Sequence, residues 1–189
     1  MAAETEETAR IAQGLRRRGG ADVALLNRLV ERYQARLVRY LVHLLGRREH
    51  VEDLVQETWL RVLERGRQYD SRLRFEPWLF AIARNLALDL VRRKPVPALD
   101  APDGPVSPDP SPFEATAKTE EAARLARSLA ALEPLTREAL LLRFQEEMSL
   151  LEIACIVEAP VSTVSSRIYR GLAALRTQLE KEENEHGRP

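Results

Sequence analysis

Five polar or basic side chains near the end of the sequence have the types and spacing to recognise a nucleic acid: Thr163, Ser165, Ser166, Arg167 and Arg170. Arginine can donate two parallel hydrogen bonds to guanine, and serine or threonine can bind bases or phosphates. From Ser162 to Arg176 the sequence has three arginines and no acid. Charge and spacing therefore favour DNA binding, although the same residues would also suit a solvated helix surface.

A helix-turn-helix is the element that would position these side chains. The segment Ser149-Leu150-Leu151-Glu152 fits a capping box and predicts a helix start. Glu158-Ala159-Pro160 separates this helix from the next, and the proline prevents a straight continuation. In such a motif the second helix lies in the major groove with its opposite side packed inward. The residues expected to face inward are Val161, Val164, Ile168 and Leu172.

The composition predicts an all-α protein made of two small helical domains. Of the 189 residues, 44% are hydrophobic and 31% are charged, as in globular proteins, and straight-chain helix formers dominate. Seven of the eleven prolines fall between Pro95 and Pro112, where no helix can continue. We therefore predict a three-helix bundle at 20–94, a Pro-rich acidic linker at 95–119 and a helix-turn-helix domain at 120–180.

Apolar residues recur at helical spacing in three parts of the predicted bundle. The first helix covers about 23–44 and ends at Gly46, and the second covers about 51–64. The third begins near Glu76-Pro77, because proline is tolerated in a first turn. Its expected inward residues are Trp78, Leu79, Ile82, Leu86 and Leu90.

Other function classes find little support in the residue types. His43, His50 and His186 lack metal-ligand spacing with Cys155, and there is no phosphate-binding glycine-rich loop. We therefore expect a protein that is not an enzyme, with no catalytic residue, metal or cofactor. No apolar run approaches the roughly 20 residues that cross a bilayer, so we expect no membrane insertion and a cytoplasmic location.

Two blocks of sequence resemble the extracytoplasmic-function sigma factors of bacterial RNA polymerase. The first joins Val51-Glu52-Asp53-Leu54-Val55-Gln56-Glu57-Thr58-Trp59 to Phe75-Glu76-Pro77-Trp78-Leu79-Phe80-Ala81-Ile82-Ala83-Arg84-Asn85-Leu86-Ala87. The second contains Leu140-Leu141-Leu142-Arg143-Phe144, the capping box and Pro160-Val161-Ser162-Thr163-Val164-Ser165-Ser166-Arg167. The order and separation of the blocks make the resemblance far more specific than a helix-turn-helix alone.

The resemblance implies a role for each part of the chain. Glu52, Asp53, Gln56 and Glu57 would dock on core RNA polymerase. Residues Arg84, Asn85, Arg92, Arg93 and Lys94 would hold the melted minus-ten strand of promoter DNA, and the helix-turn-helix would read the minus-thirty-five element. An anti-sigma factor is an expected partner. Two departures, Ser165 in place of a basic residue and Glu158 in place of a turn glycine, leave the base preference open.

Two other functions remain open at the level of sequence. A dimeric DNA-binding regulator would bind a palindrome without polymerase. A protein-interaction adaptor would show no salt-sensitive affinity for DNA.

Overall fold

Helices account for all regular structure in the residues that the structure, a computed structural model, describes: residue 14 and residues 23–70, 73–93 and 120–186. The chain divides into two compact units, one N-terminal and one C-terminal. The all-α prediction with two helical domains is therefore confirmed. Lys94 and the predicted linker 95–119 lie outside the described residues.

Three helices form the N-terminal unit: α1 (Val23–Leu45), α2 (Val51–Arg65) and α3 (Phe75–Arg93), with a short 3-10 turn at Gly66–Gln68. Each helix packs against the other two. Because each therefore buries a broad face, the core draws apolar side chains from all three. Its fully buried members include Leu29, Tyr33, Leu37, Leu41, Val62, Leu79, Phe80 and Ala83.

Gly46 ends α1 as the sequence predicts. Its φ of +67° is left-handed, a conformation that costs glycine little. Its backbone N–H donates to the carbonyl of Val42 at 2.9 Å, which satisfies one of the carbonyl groups left open at the helix end.

The buried face of α3 differs in part from the prediction. Leu79 and Ile82 are buried as expected, but Trp78, Leu86 and Leu90 are only partly covered. Trp78 instead contacts the rings of Tyr69 and Phe75 at 5.2 and 5.7 Å between centroids. Phe80 and Ala83 are fully buried, because α3 packs on two neighbouring helices and one row of apolar residues is too narrow to contact both.

A buried tyrosine–glutamate pair joins α1 to the start of α3. The hydroxyl of Tyr33 donates to Oε1 of Glu76 at 3.0 Å, and both side chains are buried. A hydrogen bond to a charged group is worth about 1.5–3 kcal/mol, more than a neutral one. This bond attaches the first turn of α3 to α1.

Four helices form the C-terminal unit: α4 (Glu120–Ala130), α5 (Pro134–Leu140), α6 (Leu150–Val157) and α7 (Val161–His186). A π-helical turn, Leu141–Gln145, continues α5. Helix α6 begins directly after Ser149 of the predicted capping box and α7 begins directly after Pro160, as expected, but α7 continues past the predicted domain end at 180. It packs on both α4 and α5.

The inward face of α7 was predicted incorrectly at two of four positions. Val164 and Ile168 are buried, but Val161 and Leu172 are 40% and 44% exposed. Gly171 and Leu175 take the inner positions instead. A Cβ at Gly171 would lie only 2.8 Å from side-chain carbons of Leu140 and Thr136, so the absence of a side chain allows α7 to pack closely against α5.

Candidate nucleic-acid and protein interfaces

The predicted helix-turn-helix is present, and local hydrogen bonds define its geometry. Ser149 caps α6: its Oγ accepts from the N–H of Glu152 at 3.3 Å, while Glu152 Oε2 accepts from the N–H of Ser149 at 2.7 Å. At the other end Glu158 is left-handed, with φ 53° and ψ 46°. This conformation favours glycine and is strained for other residues. The turn then brings the chain to Pro160, whose carbonyl accepts from Thr163 and Val164 as α7 begins.

The first turns of α7 bring together all five polar residues singled out in the sequence. Ser165, Ser166 and Arg170 are exposed, while Thr163 and Arg167 are partly covered. Arg170 Nε lies 3.4 Å from the carbonyl of Ser166, so its guanidinium folds back along the helix. The helix thus presents hydroxyl and guanidinium donors with no acid of its own among them, which is suitable for base edges and phosphates.

One acid approaches this surface from a different helix. Glu133 caps α5, and its carboxylate accepts from the N–H groups of Leu135 and Thr136 at 3.2 and 3.0 Å and from the Thr136 hydroxyl at 3.0 Å. Burial, the largest influence, raises the pKa of the Glu133 carboxyl. These hydrogen bonds and the nearby Arg167 guanidinium together outweigh it, and hold that pKa below its usual value of 4.5. Glu133 was not identified from the sequence, because nothing in the local sequence around a capping glutamate indicates that Arg167 lies near it in the fold.

The residues predicted to hold melted DNA on α3 are not equivalent. Asn85 is exposed and can offer both a donor and an acceptor to a base. Arg92 and Arg93 are exposed at the end of the helix, where Arg92 approaches Asp89 at 3.5 Å. Arg84 is only 7% exposed, so it is much less accessible than Asn85, and its predicted contact with DNA stays a prediction.

The residues predicted to bind polymerase form an exposed acidic surface on α2. Glu52, Asp53 and Gln56 are exposed, and Glu57 is partly covered because its carboxylate pairs with Arg61 at 2.8 Å. Leu60 follows Gln56 by one turn and is 53% exposed. Leu60 could not be identified from the sequence, since an apolar residue within an amphipathic helix resembles a core residue.

Candidate metal ligands do not cluster in the part of the chain that the structure describes. Within the ranges 23–70, 73–93 and 120–186, no group of three or more histidine, cysteine, aspartate or glutamate side chains could hold an ion. No helix in the same ranges is long and apolar enough to cross a membrane.

Comparisons with known proteins match the two units separately and the chain as a whole. Residues 29–95 match the family model for Sigma-70 region 2, and residues 122–175 match that for Sigma-70, region 4. The ECF RNA polymerase sigma factor SigW of Bacillus subtilis is 31% identical over 162 residues, which cover 80% of this chain and 87% of SigW. SigE of Mycolicibacterium smegmatis is 35% identical over 161 residues, covering 83% of this chain and 62% of SigE.

Solved structures with the same fold extend the match to three dimensions. CnrH, solved in complex with the cytosolic domain of CnrY, has a TM-score of 0.64 and 26% identity, with 92% of this chain and 97% of that chain covered. The sigma factor RpoE of Bartonella quintana, solved with the anti-sigma factor NepR, has a TM-score of 0.66 and 20% identity over 82% of this chain and 96% of RpoE. The chain therefore belongs to the ECF family of RNA polymerase sigma factors and is a promoter-specific transcription initiation factor.

Proposed function

We propose that the two helical units divide promoter recognition between them. Residues 20–94 bind core RNA polymerase and hold the melted minus-ten element, residues 120–180 read the minus-thirty-five duplex, and 95–119 connect them. The observation that carries this proposal is the exposed face of α7, where five polar or basic side chains follow the turn of a helix-turn-helix. That arrangement suits the major groove of duplex DNA.

The proposed polymerase-binding surface is the exposed face of α2. Glu52, Asp53, Gln56 and Glu57 offer carboxylates and an amide that pair with arginines of a partner, an interaction that orients the complex and speeds its formation. Leu60 adds an apolar group at the centre of the same face, and 53% of its surface is available to a partner. Apolar anchors surrounded by polar residues are typical of the tightest points in protein interfaces.

Strand capture falls to the exposed side of α3. Asn85 reads the edge of an unstacked base, and Arg92 and Arg93 bind phosphates. Lys94, which lies outside the described residues, is proposed as a further phosphate contact by resemblance alone. Arg84 supports this surface from within, because its side chain is buried. Unstacking a base costs a few kcal/mol, which these contacts offset only after polymerase has placed the DNA.

The upstream contact falls to Thr163, Ser165, Ser166, Arg167 and Arg170 on α7. A bidentate arginine–guanine contact discriminates by about 1–3 kcal/mol, so the two arginines carry most of the sequence preference. Glu158 keeps the turn left-handed without the glycine that the family often has there, and Ser165 replaces a basic residue. The base preference of this helix is thus set mainly by Arg167 and Arg170.

A protein partner that inhibits the factor follows from the resemblance. CnrH, which shares 26% of its residues with this chain, was solved in complex with the cytosolic domain of CnrY. We propose an anti-sigma factor for this chain as well, which would compete with polymerase for the acidic face of α2. Because core polymerase is the working partner, the protein acts in the cytoplasm, by binding and without catalysis or a cofactor of its own.

The deciding experiment adds the purified chain to core polymerase that lacks a sigma factor and maps transcripts on a fragmented bacterial genome. Transcripts with discrete starts would reveal both promoter elements. On such a promoter, Arg167→Ala and Arg170→Ala should weaken upstream binding, while Asn85→Ala should impair opening more than docking. Equal effects of all three on docking alone would contradict the proposed division.

A further inference from the structure

A fixed negative charge lies beside the DNA-reading surface of α7. Three hydrogen bonds hold the Glu133 carboxylate at the start of α5, so it cannot turn away as a free surface glutamate would. Each of its two oxygens accepts at least one of these bonds. The charge is held for a structural reason, the capping of α5, and is therefore present whether or not DNA is bound.

Arg167 and Arg170 share a surface depression with this carboxylate. Its lining includes Glu133, Thr136, Arg167, Arg170, Gly171 and Gln178, all within the C-terminal unit. Arg167 also contributes to holding the pKa of Glu133 below its usual value, so the two charges attract each other across the depression. A long arginine side chain has many rotamers, and a fixed opposite charge favours those that point toward it.

The position of α7 relative to Glu133 leaves little freedom. Thr136, whose hydroxyl binds Glu133, also meets α7 directly: a Cβ at Gly171 would lie 2.8 Å from Thr136 Cγ2. Arg167 precedes Gly171 by one helical turn. The same threonine therefore holds the carboxylate and sets how closely α7 approaches it.

We propose that Glu133 is a specificity-determining residue for upstream promoter recognition. Its carboxylate holds the guanidinium of Arg167 away from neighbouring phosphates, so that Arg167 adds affinity only where a base edge meets it. This inference rests on the proposed role of Arg167 and extends it. Non-specific binding comes almost entirely from phosphate contacts, so restraining one arginine lowers affinity for wrong sequences more than for the right one.

The test uses holoenzyme made with the full chain and promoter fragments whose upstream element is either intact or scrambled. Glu133→Ser removes the charge but keeps a good helix cap, and Glu133→Asp keeps both. Removing the charge should let Arg167 gain one phosphate contact on scrambled DNA. The slope of log affinity against log salt concentration should then steepen by about one unit. This corresponds to an additional loss of affinity of about threefold over a fourfold rise in salt concentration.

The intact element should gain less affinity than the scrambled one, so the ratio of affinities for intact over scrambled DNA should fall in Glu133→Ser and stay near the original in Glu133→Asp. In an Arg167→Ala background, Glu133→Ser should change neither the ratio nor the salt slope. Thermal melts of each variant followed by circular dichroism would show whether the C-terminal unit stays folded, so that a folding defect is recognised separately.

Three outcomes would each refute a different part of the roles proposed for Arg167 and Glu133. If Arg167→Ala alone leaves upstream binding unchanged, the proposed role of Arg167 fails. If Arg167→Ala weakens binding but Glu133→Ser preserves both the ratio and the salt slope, only the role of Glu133 fails. If Glu133→Ser tightens binding to both DNAs equally, and does so without Arg167, the carboxylate merely repels DNA and does not act through Arg167.

Discussion

Gly171→Ala tests how tightly α7 is seated on α5. An added methyl group would lie 2.8 Å from Leu140 Cδ1 and from Thr136 Cγ2, and 3.3 Å from Leu140 Cγ. Carbon atoms in a well-packed core prefer about 3.5–4.0 Å. Both neighbours resist displacement, because Leu140 is buried and the hydroxyl of Thr136 is bonded to Glu133.

Two opposing contributions decide the sign of the effect. Replacing glycine by alanine inside a helix is worth about 1 kcal/mol in favour of folding. Overpacking a filled core costs about 1–3 kcal/mol, and two blocked neighbours place this site in the upper part of that range. We therefore expect Gly171→Ala to lower the free energy of unfolding of the C-terminal unit by about 1–2 kcal/mol, or its Tm by roughly 5–10 °C.

The two units can be followed separately in one denaturation experiment. Both tryptophans, Trp59 and Trp78, lie in the N-terminal unit, so tryptophan fluorescence reports that unit while far-UV circular dichroism reports both. Only the circular dichroism transition should shift. Adding Thr136→Ser, which removes one of the two clashing carbons, should restore part of the loss. A stabilised Gly171→Ala protein would refute the close packing of α7 on α5.

Three further predictions concern the turn, the cap and the polymerase-binding face. Glu158→Gly should raise the free energy of unfolding by about 1 kcal/mol in chemical denaturation, because φ is 53° there; an unchanged or lower value would contradict the left-handed turn. The pKa of Glu133 is lower in the folded protein than in the unfolded chain, where it is near 4.5. The ionised carboxylate therefore stabilises the fold above that pH, and this stabilisation is lost as pH falls through the folded pKa. Glu133→Gln should accordingly reduce the fall of Tm at acidic pH in thermal melts. Leu60→Ala should weaken binding to core polymerase about fivefold, or about 1 kcal/mol, whereas Leu73→Ala, 66% exposed in the same unit, should not; equal losses would argue against an anchor on α2.

Helix ends could be predicted from sequence because their signals are local. The capping box at Ser149 and Glu152 involves residues three apart, and Gly46 ends α1 through a bond to Val42 four residues earlier. Such contacts form whenever the local helix forms. The type of each element and most of the predicted helix ends therefore agreed with the structure, whereas the end of α7 did not.

The buried faces and the details of the candidate site depended on contacts distant in sequence. Gly171 was passed over because a glycine adds nothing to an apolar pattern, yet its lack of a side chain decides which face of α7 turns inward. The burial of Arg84 and the proximity of Glu133 to Arg167 likewise arise only when helices pack. Residue types thus indicated the kind of surface, whereas helix packing determined which of the predicted site residues are exposed.

The distribution of charge suggests why recognition proceeds through polymerase. The chain carries 29 basic and 29 acidic residues, so its overall field attracts DNA weakly. Helix α2 has four acids against two arginines, and its exposed acidic face repels phosphates, which keeps DNA off the proposed polymerase-binding surface. The face of α7 attracts phosphates, but Glu133 restrains one of its arginines. Docking on polymerase would raise the local concentration of promoter DNA, and modest contacts that discriminate between sequences would then suffice.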